Sequence, residues 1–368
     1  MTPSWRFFRT HPFLRFSFAV ILACATATAA DSSPQLPPVL LQMIRDSSIH
    51  DELQLTDAQR DQIVETLRTV DGRWFRSRIL AADKQLQEVT ALSGQLRSKL
   101  DVLLDDRQAT RLGQLECQAL GTRMVLREEV ADSLGLKASQ RQALREVFLK
   151  TDQRASEIQK KLQAGETTAV AGHKELDGLK SKERQSVAGM LTQAQKSKLG
   201  SLTGSPFDFG TVRRMYPLAP ELTIEGVTWI QGGPLRLEEL RGKVVAVHFY
   251  AFQCINCQRN LPHYKAWYDD YADKDFVIIG IQTPETESER KLDRVTAAAK
   301  KEAMQYPLIL DAESSNWKAW GNTMWPTVYL IDKQGFIRRW WQGEMNWKET
   351  PGEQQMRQSI EQLLAEDS

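Results

Sequence analysis

The sequence predicts an all-α helical domain of two tandem units followed by an α/β domain, a central mixed sheet with flanking helices. Three observations predict this. Residues 39–203 are rich in Leu, Gln, Arg, Glu and Ala, with no proline between Pro38 and Pro206; these are good helix formers. Beyond residue 220, short apolar runs alternate with helical stretches, the pattern of a sheet with helices on its faces. The 368 residues also exceed one core of ordinary size. Hydrophobic residues at 41% and charged residues at 26% fit a soluble globular chain. A net charge of +1 gives no basis for nucleic acid or anionic membrane as a partner.

Residues 1–30 read as a signal peptide. Arg6, Arg9 and Arg15 precede the apolar run Phe16 to Cys24, small residues continue to Ala30, and no acid appears before Asp31. That is the charged, apolar, cleavable order of an export signal, and the run is short for a membrane span. The expected localisation is therefore periplasmic or secreted. A lipoprotein anchor at Cys24 is the less favoured alternative, because Leu22 is bulky for that pattern. Cleavage near Ala29 or Ala30 leaves three cysteines, Cys117, Cys254 and Cys257. In an oxidising compartment the close pair is a plausible disulfide.

The helical domain, 31–203, repeats a local motif. Leu55-Thr56-Asp57-Ala58-Gln59-Arg60 is matched by Leu136-Lys137-Ala138-Ser139-Gln140-Arg141. Leu104-Asp105-Asp106-Arg107-Gln108 is matched by Leu191-Thr192-Gln193-Ala194-Gln195. Thr56, Asp105 and Thr192 suit N-caps, each with a Gln three residues on to close a capping box, and the preceding Leu can staple the helix entry. Lys137 cannot cap in that way. Leu-Thr-x-x-Gln motifs resemble those of periplasmic stress chaperones, although capping boxes occur in any helical domain. The default expectation is a spacer, or a domain that docks another protein. Cys117 lies among Leu115 and Leu120; it reads as a buried inert thiol, or as a third thiol for intermolecular pairing.

Gly204, Pro206, Gly210, Pro217 and Pro220 break the helical pattern, so residues 204–220 read as a linker, with Phe207, Phe209, Met215 and Tyr216 able to dock on a neighbouring domain. In the α/β domain, 221–368, strands are predicted at 243–250, 276–282, 307–310, 327–331 and 336–341. The last two form a hairpin through Asp332-Lys333-Gln334-Gly335. Helices are predicted at 255–272, 286–304, 314–321 and 353–365.

Cys254-Ile-Asn-Cys257 follows the strand ending at Tyr250 and opens a helix. A helix N-terminus offers unpaired N–H groups and partial positive charge, the setting of a reactive thiol. The three-residue step brings the second sulfur onto the same turn. Cys254 is then the attacking thiol and Cys257 the resolving thiol. No second ligand pair at suitable spacing supports zinc, and Gln258, not His, follows Cys257, which disfavours haem attachment. No metal and no other cofactor is expected. A structural disulfide stays open.

From about Leu222 to Glu344 the sequence resembles the thioredoxin-like periplasmic thiol–disulfide oxidoreductases, nearest the redoxin branch fused to or associated with cytochrome-biogenesis-type membrane electron carriers. The residues are Leu237 to Val245, Cys254-Ile-Asn-Cys257-Gln-Arg-Asn-Leu-Pro262, Gln282-Thr-Pro-Glu285 and Trp325-Pro-Thr-Val-Tyr-Leu-Ile-Asp332. The resemblance implies a thioredoxin-like fold, Cys254 as nucleophile and a cis bond before Pro326, with Trp325 and Gln253 at the substrate groove. It also shows departures. Gln253 stands where Trp is usual, His248 where many members carry a buried acid, and Asn260 where some carry Glu. The carboxylate that serves the second cysteine is missing; His248 and Glu285 are the candidate proton-transfer groups, His248 also reading as a core residue.

Three functions follow. The first is an oxidoreductase acting on protein thiols and disulfides, drawing on a membrane electron donor if reductive, since no nucleotide-binding glycine motif is present. The second is a thiol peroxidase, disfavoured because no Thr-x-x-x-Cys-type site ends at Cys254. The third is a non-enzymatic envelope interaction or chaperone protein with a redox-sensing domain. Ile255 and Asn256 carry no charge to bias the direction of exchange.

Overall fold

The structure is a computed structural model describing Pro34 and residues 36–164 and 166–366. The expected signal peptide and Cys24 lie outside these residues. The helices are α1 (Val39–Met43), α2 (Ser47–Glu52), α3 (Asp57–Ser77), α4 (Ala82–Leu103), α5 (Asp106–Leu120), α6 (Glu128–Ser133), α7 (Ala138–Gln163), α8 (Ala169–Met190) and α9 (Gln193–Thr203). After them come α10 (Ile255–Tyr271), α11 (Leu292–Lys301), α12 (Ser315–Ala319) and α13 (Gly352–Ala365). None of the described helices is long and apolar enough to cross a membrane.

Contacts divide the described chain into two compact units: residues up to Gln59 with Arg97–Val212, and Arg60–Leu96 with residues from Arg213 onward. This differs from the expected division at the 204–220 linker. The segment 60–96, a helical arm made of parts of α3 and α4 and their connecting turn, groups with the sheet.

In the first unit the repeat is visible in hydrogen bonds. Gln59 Nε2 donates to Gln108 Oε1 (2.8 Å) and to the Leu103 carbonyl (3.0 Å). Gln140 Nε2 does the same to Gln195 Oε1 and the Met190 carbonyl, both at 3.1 Å. Each motif glutamine also receives the N–H of its own N-cap residue: Thr56, Asp105, Lys137 and Thr192. The glutamines therefore link paired helices and cap helix N-termini at once, closing a reciprocal box at Thr56, Asp105 and Thr192 and only its glutamine half at Lys137. A core of Leu134, Leu136, Leu144, Phe148, Val187 and neighbours buries Cys117, and burial raises that thiol's pKa.

The second unit is built on a six-stranded mixed sheet: β1 (Thr228–Gln231), β2 (Val244–Tyr250), β3 (Phe276–Gln282), β4 (Leu308–Leu310), β5 (Thr327–Ile331) and β6 (Ile337–Gln342), in the order β1-β4-β3-β2-β5-β6. β2, β3 and β4 are parallel, and β1, β5 and β6 run antiparallel to their neighbours. Two differences from expectation appear. β1 is an additional edge strand. The helix expected over 286–304 is a 3₁₀ turn, Glu287–Arg290, followed by α11, with Lys291 extended between them.

Alternation along β2 sorts its side chains onto two faces. Val244, Ala246 and Tyr250 join α10, α13 and Cys257 in one core, with His248 stacked on Tyr264 at 4.3 Å. Val245, Val247 and Phe249 join Leu222, Leu237, Trp320, Tyr329 and, from the arm, Phe75 in the other. The segment 213–222 is tied into this unit. The Leu218 N–H donates to the buried Asp71 carboxylate of the arm at 2.8 Å, and Leu218 bridges to Phe336.

Candidate active site

The fully buried strand β2 carries the chain to Tyr250, and the next turn delivers Cys254. Its N–H donates to the Ala251 carbonyl at 3.1 Å, and its carbonyl accepts from Gln258 at 3.0 Å. Cys254 is thereby the N-cap residue of α10 and is partly exposed. Cys257, one turn on, is 1% exposed. Both are free thiols. Burial, and then the hydrogen bond to the Cys254 sulfur, push the Cys257 thiol far above its usual range.

The Trp325–Pro326 bond is cis. Thr327 pairs with Phe249 across the β2–β5 ladder, which sets Pro326 beside Tyr250, where the chain turns toward Cys254. The Trp325 ring stacks on Trp317 at 4.0 Å. Cys254, Phe252 and Trp325 all pack, partly buried, on the core that holds Cys257. Ile255, between the two cysteines, is 58% exposed, and Met324 beside Trp325 is 46% exposed. Exposed apolar side chains thus adjoin both the partly exposed Cys254 and Trp325.

Gln253 is held by a residue that sequence reasoning missed. Glu289 is fully buried, and its carboxylate accepts the backbone N–H groups of Gln253 (2.8 Å), Glu285 (2.8 Å) and Thr286 (3.0 Å). The Gln253 amide oxygen accepts hydroxyls from Thr286 (2.8 Å) and Ser288 (3.0 Å). Loop 283–290 is thus clamped to the residue before Cys254. The signal for Glu289 was present as Thr286-Glu-Ser-Glu289, a capping-box spacing.

The expected proton-transfer groups differ sharply. His248 is fully buried among Tyr250, Tyr264 and Tyr306. Neither ring nitrogen has a hydrogen-bond partner among the described residues, and burial alone lowers its pKa to about 3. It stays neutral at physiological pH and is a weak proton acceptor. Glu285 is exposed on the clamped loop, its pKa raised first by local burial and then by the Glu289 charge. Glu285 is the carboxylate whose charge acts on Cys257. Asn260 is structural: its amide donates to the Gly343 carbonyl at 3.1 Å, and its oxygen accepts the Met345 N–H at 3.0 Å. Among the described residues, no group of three or more His, Cys, Asp or Glu side chains is placed to hold a metal ion.

Residues 218–340 match the AhpC/TSA family model. Protein DipZ of Mycobacterium tuberculosis is 39% identical over 138 residues, which cover 36% of this chain and 20% of DipZ. The thiol-disulfide oxidoreductase ResA of Halalkalibacterium halodurans is 29% identical over 110 residues, 29% of this chain and 58% of ResA. The chain thus spans a fifth of the DipZ sequence. A crystal structure of a thiol-disulfide isomerase from Corynebacterium glutamicum covers 40% of this chain and 98% of its own, at 20% identity and a TM-score of 0.36. The sheet-bearing part of the chain is a thioredoxin-like redoxin domain, and the part before it is largely helical.

Proposed function

We propose that this chain is an exported thiol–disulfide oxidoreductase that exchanges disulfides with protein substrates through Cys254 and Cys257. One observation carries the reading: an accessible cysteine caps the helix after a central strand, with a second cysteine buried one turn below it. The name of one relative, the thiol-disulfide oxidoreductase ResA, agrees with it. In the reductive direction the Cys254 thiolate attacks a substrate disulfide, forming a mixed disulfide and expelling one substrate thiolate. Cys257 then loses its proton and attacks the Cys254 sulfur, releasing the second substrate thiolate. Two electrons pass to the substrate and the 254–257 pair becomes a disulfide; the reverse sequence oxidises. Pro326, Trp325 and Gln253 border the groove in which the substrate lies. Glu285 takes the Cys257 proton, a role for which its raised pKa suits it. The order of residues 1–30 supports export, and a membrane electron donor would recharge a reductive enzyme. The first unit, with its repeated glutamine pairs, serves to dock another protein.

The test is insulin reduction by dithiothreitol. Cys254→Ser is expected to fall to background, and Cys257→Ser to accumulate a mixed disulfide visible on non-reducing gels. Full activity of Cys254→Ser would overturn the mechanism. Glu285→Gln is expected to flatten the acid limb of the pH profile, since activity needs the carboxylate and is lost as pH falls through its raised pKa. The reduction potential sets direction: roughly −270 mV marks a reductant and roughly −120 mV an oxidant.

A further inference from the structure

We infer that Arg78, on the helical arm and far from the redoxin residues in sequence, is a positioning residue for the Trp325–Pro326 loop. The inference rests on the reading of Cys254 as a protein-disulfide nucleophile. It makes the arm part of the machinery that shapes the substrate groove.

The loop runs from Trp320 to Pro326, between α12 and β5. α12 ends at Ala319 with Trp320 as its C-cap, and Gly321 just beyond it is left-handed (φ 55°), so the chain leaves the helix with carbonyls that have no intrahelical partner. Arg78 takes up two such carbonyls. Its Nη2 donates to the carbonyls of Trp320 (2.5 Å) and Gly321 (3.0 Å) and to the Tyr329 hydroxyl (3.0 Å). Nη1 donates to the Phe75 carbonyl at 2.6 Å, and the guanidinium lies 3.6 Å over the Phe75 ring. The Tyr329 hydroxyl in turn donates to Asn322 Oδ1 at 2.6 Å. One cation therefore holds the backbone of residues 320 and 321 directly and residue 322 through Tyr329. The far end of the loop is held by Thr327 Oγ1 on the Met324 carbonyl at 2.8 Å and by the Trp317–Trp325 stack.

An anchor for the arm alone would need only the arm's own carbonyl and the Phe75 ring. Three of the four acceptors instead belong to the loop or to the strand that follows it. The planar guanidinium can reach all of them from one position while stacked on a ring, which an ammonium cannot do.

The experiment compares full-length wild type, Arg78→Ala and Arg78→Lys on insulin and on oxidised glutathione, with the 254–257 reduction potential measured for each and Cys254→Ser as control. A displaced loop disturbs the groove for a protein segment but leaves the sulfur open to a small disulfide. Arg78→Ala is expected to lose about tenfold in kcat/KM for insulin, mainly through KM, less than the roughly hundredfold that a misplacement of about 1 Å in the reacting groups themselves can cost. The glutathione rate and the potential should stay as in wild type, and Arg78→Lys should recover part of the insulin activity. Unchanged insulin kinetics in Arg78→Ala, with Cys254→Ser inactive, overturn the inference and leave the function standing; an active Cys254→Ser overturns the function itself. If near-UV circular dichroism shows that Arg78→Ala does not fold, Arg78→Lys decides. A loss confined to insulin supports positioning, and either an equal loss on both substrates or none overturns it.

Discussion

On the arm-covered face of the sheet, the Tyr329 hydroxyl receives Arg78 and donates to Asn322. On the face that carries Cys257, the Tyr306 hydroxyl and both His248 nitrogens are buried with no hydrogen-bond partner among the described residues. Both faces bury several aromatic rings, so apolar area does not separate them. They differ at these particular groups, although the arm-covered face also buries Trp320 Nε1 and Asn322 Nδ2 without a hydrogen-bond partner among the described residues. The first face spends a cation and several hydrogen bonds to fix a loop. The second packs aromatic rings around Cys257, and burial there raises the pKa values of Cys257, Tyr250 and Tyr264 and lowers that of His248.

The largest effect expected from breaking this arrangement is at the arm. Phe75 is 4% exposed and makes edge contacts with Trp320 (6.4 Å) and Tyr329 (5.7 Å). Phe75→Ala should cost about 3–5 kcal/mol in urea denaturation, the usual result of truncating a buried Phe. A cost near zero would mean that the arm lies on the sheet unit without sharing its core.

The arm's allegiance was not legible in the sequence. Residues 60–96 read as helix, and helix propensity says nothing about which core a helical face joins. Asp71, Phe75 and Arg78 find their partners at Leu218, Trp320 and Tyr329, all distant along the chain. The strands β2 to β6 and the Cys254 turn were legible because their signals are local: apolar runs, a hairpin turn, a cysteine spacing. β1 was missed because four residues flanked by Gly226 and Gly232-Gly233 carry too little pattern. Glu289 was missed because burial singles it out from Glu285 and Glu287, and burial is a tertiary property.

The Cys257 face predicts a pH dependence. His248 titrates near 6.5 when unfolded and at about 3 in the fold. Between those values the unfolded chain holds more protons, so stability falls as pH drops, at up to about 1.4 kcal/mol per pH unit from this group. Above the unfolded value the contribution is constant. His248→Phe should therefore lose less stability than wild type between pH 6.5 and 4.5, and should match its pH dependence above 7. Equal acid sensitivity in the two proteins would mean that the imidazole is solvated or partnered in the native state.

The sharpest comparison removes one oxygen from each face. Tyr329→Phe strips a hydroxyl that mediates between Arg78 and Asn322, leaving a buried donor and a buried acceptor short of a partner; the expected cost is about 1–3 kcal/mol. Tyr306→Phe removes a hydroxyl that has no partner among the described residues, so its burial penalty disappears with it. That variant should be neutral, or stabilised by up to about 1 kcal/mol. Parallel urea titrations read both. If the two substitutions destabilise equally, the Tyr306 hydroxyl must be satisfied in solution, and a buried water among Tyr306, His248 and Tyr264 becomes the required occupant. The interior behind Cys257 would then offer a second route for the Cys257 proton, beside the one proposed through Glu285.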